Sequence, residues 1–389
     1  ISRMTQRTLL RGGLVVLPDG GTKTADVLIT GDRIEALAPG LDAPDGAATW
    51  DASGFTLVPG FIDVHVHGGG GFSLITRDAT EIESYARWAV SRGVTSFLAT
   101  VCADSLEAGL RAVGVAASVT GPVGGGATVL GVNLEGPFVS PERPGALPPA
   151  WLRAPNDETL RRLMDAAGGA LRVMTVAPEL EGAVHVIETL VQSGVRVSVG
   201  HTDATYEQAR EAFELGASHV THAFNAMRPL HHREPGPLVA ALGFDGVTVE
   251  VIADGVHLHP ATASLLVRVF GPERVCLVTD AVSPAGLGAG SFRIGGHEAR
   301  LEGGSIRLPD GTIAGSAATM DAVVHNVVSW DVDDLAGAVR MASSTPARAL
   351  GLDRKGAIAP GYDADIVALS RDLDIAATWV GGRLVYECG

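Results

Sequence analysis

Cysteine is scarce in this chain: Cys102, Cys276 and Cys388 are the only three, and they share no CxxC spacing. That excludes a disulfide framework and points to a reducing compartment. Lysine is scarcer still, with only Lys23 and Lys355. Positive charge is short overall, with 29 Lys and Arg against 44 Asp and Glu and a net charge of −15. A general nucleic-acid or acidic-membrane binder needs a basic face, so both classes are excluded. A small anionic ligand needs only two or three local donors and is not excluded. No run reads as a membrane helix. The longest uncharged stretch, between Arg111 and Glu135, carries six glycines and Pro122, and is expected to be helix end, loop and strand. The opening ISRMTQRTLLRGG lacks the long apolar core of a secretory leader.

What is present is globular. Hydrophobic residues make up 46% of 389 and charged residues 19%, which excludes a disordered chain. Both ends read as short half-buried strands. LLRGGLVVLPDGG and ADVLITGDRIEALAPG open the chain, and KGAIAPGYDADIVALS and IAATWVGGRLVYE close it. The simple reading is one small β-sandwich domain built from both ends, residues 1–58 and 351–389, because chain termini commonly lie together. Between them, at 59–350, one pattern repeats: an apolar run, a polar residue at its end, then a helical stretch. The runs are FIDVHVH (61–67), TSFLATV (95–101), TVLGVNLE (128–135), LRVMTVAPE (171–179), VRVSVGH (195–201), SHVTHAFN (218–225), VTVEVIADGVH (247–257) and RVCLVTD (274–280). Continuous β-branched runs alternating with helices imply buried parallel strands. Eight such units favour an α/β fold of the (β/α)8, TIM-like barrel type over a doubly wound open sheet.

In a barrel, the chemistry sits at the C-terminal ends of the strands. Here those ends carry His65, His67, Glu135, His201, His222 and Asp280. A single histidine at a strand end is usually structural, but six such groups at one rim form a set. His65 and His67 share a strand face because side chains alternate with period two. Imidazoles with a carboxylate suit Zn(II), Fe(II) or Mn(II). No cysteine falls near these positions in the sequence, so a thiolate site is not expected. Asp280 is either a helix cap or a catalytic carboxylate, and its place in the series favours general base and acid. A carboxylated lysine cannot bridge two metals, because Lys23 and Lys355 both lie in the β-rich ends. If two metals bind, Glu135 is the natural bridge.

PGFIDVHVHG (59–68), LEGPF (134–138), VGHTDA (199–204), THAFNAM (221–227), HREPG (232–236), ADGVHLHP (253–260) and LVTDA (277–281) resemble the N-acetylglucosamine-6-phosphate deacetylases of the amidohydrolase superfamily. The likeness extends into both ends. It implies hydrolysis of the N-acetyl amide of a phosphorylated amino sugar, by a metal-bound hydroxide with Asp280 as general base and then acid. It implies one or two divalent metals per chain, with Zn the first choice and Fe, Mn or Co as alternatives. Glu135, His201 and His222 would hold the main ion, and His65 and His67 a second. Asn225, Ala226 and His257 would meet the substrate. Arg233 would bind the phosphate across a homodimer interface, a role suited to its planar fork of donors. Ala146 and Ala318-Thr319-Met320 would line the sugar pocket. The implied setting is cytoplasmic amino-sugar metabolism, with no nucleic acid or membrane partner.

One departure stands out. Some members of that family carry a histidine shortly after LEGP, where this chain reads Gly145-Ala146-Leu147. Leucine can neither donate a hydrogen bond nor carry charge. The expectation is that a second metal at His65 and His67 takes over part of the amide polarisation. Otherwise the substrate is a different N-acylated amino sugar phosphate. A cyclic-amide hydrolase and a non-catalytic sugar-phosphate sensor are the remaining alternatives, since a shared barrel does not fix a substrate.

Overall fold

In the computed structural model, which describes residues 6–294 and 297–389, all eight apolar runs form parallel strands of one sheet. They are Phe61–Val66, Val94–Val101, Thr128–Leu134, Leu171–Val176, Arg196–Val199, His219–Val220, Thr248–Val251 and Val275–Leu277, called strands one to eight below. Neighbours in sequence are neighbours in the sheet. Strand eight returns to strand one just beyond the ladder: the Asp280 N–H donates to the His65 carbonyl at 2.9 Å and the His67 N–H to the Ala281 carbonyl at 2.7 Å. The chain therefore folds as a (β/α)8 barrel. Leu98 of strand two, Val173 of strand four and Cys276 of strand eight join Ile62 and Val64 in one buried apolar cluster.

Local chemistry sets the helix boundaries. The Asp78, Ser105 and Asn156 side chains cap helices Ala79–Ala89, Leu106–Ser118 and Asp157–Ala167 by accepting from backbone N–H groups one turn in. Thr205 and Gln208 form a reciprocal capping box ahead of Tyr206–Glu214. Helix Asp157–Ala167 stops at Gly168 in the left-handed region.

Both chain ends build a separate sheet. Strand Ile366–Leu369 pairs antiparallel with Thr56–Pro59, Val367 facing Val58. Strand Arg33–Ala38 at the far edge turns back on the C-terminal part, with the Ile34 N–H donating to the Tyr362 carbonyl at 3.0 Å. This sheet has its own core, which includes Leu10, Ile29, Leu57, Ile366 and Trp379. A third sheet of four antiparallel strands, Gly290–Ile294, His297–Glu302, Ser305–Arg307 and Ile313–Ser316, follows strand eight. Nothing in the sequence reading marked it as sheet. Its strands are short and its turns glycine-rich, so it lacks the long β-branched runs that signal barrel strands.

Trp379 is buried and meets Trp50 edge-on at 5.0 Å, joining strands from the two chain ends. Trp379→Ala should therefore destabilise the end sheet by about 3–5 kcal/mol, as large-to-small core changes do. Urea unfolding followed by tryptophan fluorescence would show an earlier loss of the end sheet; an unchanged midpoint would contradict this packing.

Candidate active site

The rim expected to carry the chemistry is a real convergence. Glu135 follows strand three and is buried. Its Oε1 lies 2.9 Å from His201 Nε2 and 3.0 Å from His222 Nε2, and its Oε2 lies 3.3 Å from His67 Nε2. The Trp151 indole N–H donates to the Glu135 carbonyl at 2.8 Å and fixes that corner of the chain. Asp280 Oδ1 is 3.2 Å from His67 Nε2 and 3.5 Å from His65 Nε2. Glu135, His201 and His222 offer ligand atoms within 4.8 Å of one another, and so do His65, His67 and Asp280.

His201, His222 and Asp280 leave their strands with φ of 45°, 25° and 48°. Non-glycine residues rarely occupy this region, and such strain persists where surrounding structure enforces it, often at functional sites. Gly145, at φ 57°, passes so close that a Cβ there would meet His201 Cε1 at 3.2 Å. A glycine at this position meets both demands.

The outward ring nitrogens of His201, His67 and His65 are held by the protein, while His222 Nδ1 is buried without a hydrogen-bond partner. His201 Nδ1 pairs with the Arg143 carbonyl at 3.0 Å and His67 Nδ1 with the Thr100 carbonyl at 3.2 Å. A carbonyl only accepts, so each Nδ1 carries the hydrogen and each Nε2 turns a lone pair inward. His65 Nδ1 pairs with Glu250 Oε2 at 2.8 Å, while its buried Nε2 has no partner. The lone pair of His201 Nε2 thus faces Glu135 Oε1 at 2.9 Å, and His222 Nε2 lies 3.0 Å from the same oxygen and 3.1 Å from His201 Nε2, a crowding of buried polar atoms that a cation among them would relieve. The donor set fits a divalent metal by this test. Protons compete for the same place: burial works against a charged His65, yet Glu250, Asp280 and Glu135 raise it to about 9. Burial likewise opposes ionisation of Glu135, but the His201, His222 and His67 hydrogen bonds hold it well below the usual carboxylate range.

Sequence reasoning missed Glu250, on strand seven. Its carboxylate also accepts from the His222 N–H at 2.9 Å and pairs with His219 Nε2 at 3.1 Å. Burial opposes its charge, while His65 and His219 hold it far below the normal range. The signal was available: a glutamate inside the apolar run TVEVIA must be paired if it is buried. The structure also corrects the exclusion of cysteine. Cys102, straight after strand two, stands beside His67 and Glu135, because consecutive barrel strands bring residues far apart in sequence to one rim.

The cluster forms the floor of a cavity of about 680 Å³, within the range of small-molecule sites. Ala146, Leu147, Asn225, Ala226 and His257 all line it, as does Asp280. His257 Nδ1 meets Asp254 Oδ2 at 2.7 Å, and that hydrogen bond raises the ring's pKa against the opposing effect of burial. Ala318, Thr319 and Met320 do not reach this cavity. They face a small void beside Tyr85 and Trp88, because Met320 starts a helix whose buried face enters the core. Ile313, Ala314 and Gly315 of the four-stranded sheet line the cavity instead. Arg233 is exposed in a loop, with Nη1 2.7 Å from His232 Nε2, and is not part of the cavity wall of the single chain.

A model of the amidohydrolase family matches residues 56–385. The chain belongs to the amidohydrolase family. It is 35% identical over 378 residues to the N-acetylglucosamine-6-phosphate deacetylase of Lysinibacillus sphaericus, covering 97% of both chains. It is 37% identical over 380 residues to the N-acetylgalactosamine-6-phosphate deacetylase of Escherichia coli O157:H7, covering 97% of this chain and 98% of the relative. Among solved structures, that of N-acetyl-D-glucosamine-6-phosphate deacetylase from Mycobacterium smegmatis superposes with a TM-score of 0.90 at 37% identity, over 98% of this chain and 99% of the other. That structure is of an Asp-to-Ala variant in complex with N-acetyl-D-glucosamine-6-phosphate. Membership of this family makes the protein a hydrolase.

Because Glu250 fixes the His65 ring and the His222 backbone, Glu250→Gln should lower divalent-metal affinity by about 10–100-fold, the usual cost of removing an outer partner. Competition with a chromogenic chelator measures it; retention equal to wild type would show that Glu250 only fills space.

Proposed function

We propose that this amidohydrolase removes the acetyl group of N-acetylglucosamine 6-phosphate, giving glucosamine 6-phosphate and acetate. The observation that carries the reading is the buried cluster of imidazoles around Glu135, with Asp280 3.2 Å from His67, at the floor of a sugar-sized cavity. The two full-length relatives quoted above are named for this reaction or for that of its galacto epimer.

Glu135, His201 and His222 would hold one divalent cation, and His65 and His67 would hold a second beside Asp280. A bound divalent cation supplies Lewis acidity, polarising a carbonyl and acidifying water. Zinc is the first choice for such a donor set, with iron, manganese and cobalt as alternatives. Asp280 accepts the proton of the attacking water and returns it to the amine nitrogen as the C–N bond breaks, so one carboxylate serves as base and then acid. Burial raises the cost of its charge, but His67 and His65 keep it below the ordinary aspartate range, ready to accept. His257, steadied by Asp254, and Asn225 with the Ala226 backbone orient the sugar. Ala146 packs against it.

The protein's charge of −15 repels an anion, so phosphate capture falls to a local donor. Arg233 supplies it from the neighbouring protomer of a homodimer, which accounts for its exposure in the single chain. Among the described residues no helix is long and apolar enough to cross a membrane. We place the enzyme in the cytoplasm, in amino-sugar metabolism. The galacto epimer is the second reading, favoured by the 37% identity to the Escherichia coli relative. Leu147, buried in the cavity wall, gives no polar contact by which to choose between them.

With metal-replete protein, N-acetylglucosamine 6-phosphate should release free amine and acetate in equal amounts, with a higher kcat/KM than its galacto epimer. The reverse order would move the assignment to the epimer, and no release from either would overturn it. Asp280→Asn should lower kcat by about 10²–10⁴-fold, the range for loss of a general acid–base. Arg233→Ala should raise KM for the phosphorylated sugar far more than for the unphosphorylated one; equal losses would remove its phosphate role.

A further inference from the structure

The two ligand groups expected from the sequence contain only nitrogen and oxygen. A third group of the same compactness overlaps them: His67, Cys102 and Glu135 offer ligand atoms all within 4.8 Å of one another. Cys102 comes directly after strand two, on the rim that carries every other ligand candidate, and its side chain lines the cavity. Its position is therefore that of a ligand in the barrel, although the strand that carries it contributes no histidine or carboxylate.

Three further observations bear on it. His67 Nδ1 is committed to the Thr100 carbonyl, so its Nε2 is the atom left for the cluster. Glu135 divides its oxygens, Oε1 toward His201 and His222 and Oε2 toward His67, so the oxygen beside His67 is not the one shared by the other two histidines. Independently of the thiol, His65 Nε2 is fully buried, without a partner, and aimed between Glu135 Oε1 at 3.6 Å and Asp280 Oδ1 at 3.5 Å. A buried imidazole nitrogen left open at that point marks where a cation belongs.

The geometry points to Cys102 as a sulfur ligand of the second cation, joining His67 and Glu135 in a mixed nitrogen, oxygen and sulfur site beside His65. The inference rests on the reading that this rim holds divalent metal. On coordination the S–H bond breaks, the sulfur's electron pair forms the bond to the metal, and the proton leaves to solvent; no oxidant or reductant takes part. Sulfur is a soft ligand, so the second position favours zinc, cadmium and cobalt over manganese and magnesium, while the Glu135–His201–His222 position keeps an all-nitrogen-and-oxygen set. The two positions then differ in metal preference because of one side chain.

Cobalt(II) added to the metal-free full-length protein tests this without an activity assay. Visible ligand-field bands report any bound cobalt, and a near-ultraviolet charge-transfer band reports a cobalt–sulfur bond. The wild type and Cys388→Ser should show both. Cys102→Ser and Cys102→Ala should keep the visible bands of the first position and lose the near-ultraviolet band, and their affinity for cadmium at the second position should fall at least about tenfold. Zinc should also protect Cys102 from alkylation, mapped by mass spectrometry. Visible bands without a near-ultraviolet band in the wild type, or a band that survives in Cys102→Ser, would overturn the role of Cys102 and leave the metal centre standing. Failure of the wild type to take up cobalt at all would overturn the metal reading together with it.

Discussion

The site depends on one buried carboxylate. Glu135 is reached by three imidazoles from strands one, five and six, each at about 3 Å. A charge in that position is costly on its own and tolerable only when paired and hydrogen-bonded. The barrel meets this requirement by its topology, since consecutive strands place their last residues around one circle. Three parts of the sequence separated by tens of residues thus become neighbours of one group, and the arrangement needs a positive centre to be stable.

The remaining polar groups are consistent with that need. Thr100, Arg143 and Glu250 hold the outward nitrogens of His67, His201 and His65, and so decide which way each lone pair points. Glu250 is the most consequential, because it touches a ring on strand one, the backbone beyond strand six and His219 at once. Three strand-end residues accept left-handed backbone to bring their side chains inward. Local strain at the rim is compensated by a deeply buried sheet beneath it.

Much of this was legible in the sequence. Eight β-branched runs gave the barrel, and their polar last residues gave the site, because both signals are local and periodic. Glu250 was overlooked because it sits mid-strand, where attention to strand ends passes over it. Cys102 is far from the other ligand candidates along the chain, yet residues 67, 102 and 135 follow three adjacent strands and meet in space. Ala318 to Met320 lie beside a small void rather than along the main cavity, whose wall the short-stranded sheet before them supplies, and that sheet is invisible to a search for long apolar strands. Arg233 lies exposed in its loop, apart from the cavity of the single chain.

That small sheet has an apolar nucleus of its own, formed by Val282, Ala299, Leu301, Ile306 and Ala314. It lends Leu308 and Ile313–Gly315 to the cavity, while among the described residues it contributes no histidine or carboxylate to the cation cluster. Part of the surface that recognises the molecule is thereby carried on a sheet apart from the strand ends that break the bond. Mutation can remodel one while leaving the other intact, which gives a lineage built on this scaffold a route to new sugars without reinventing its reaction.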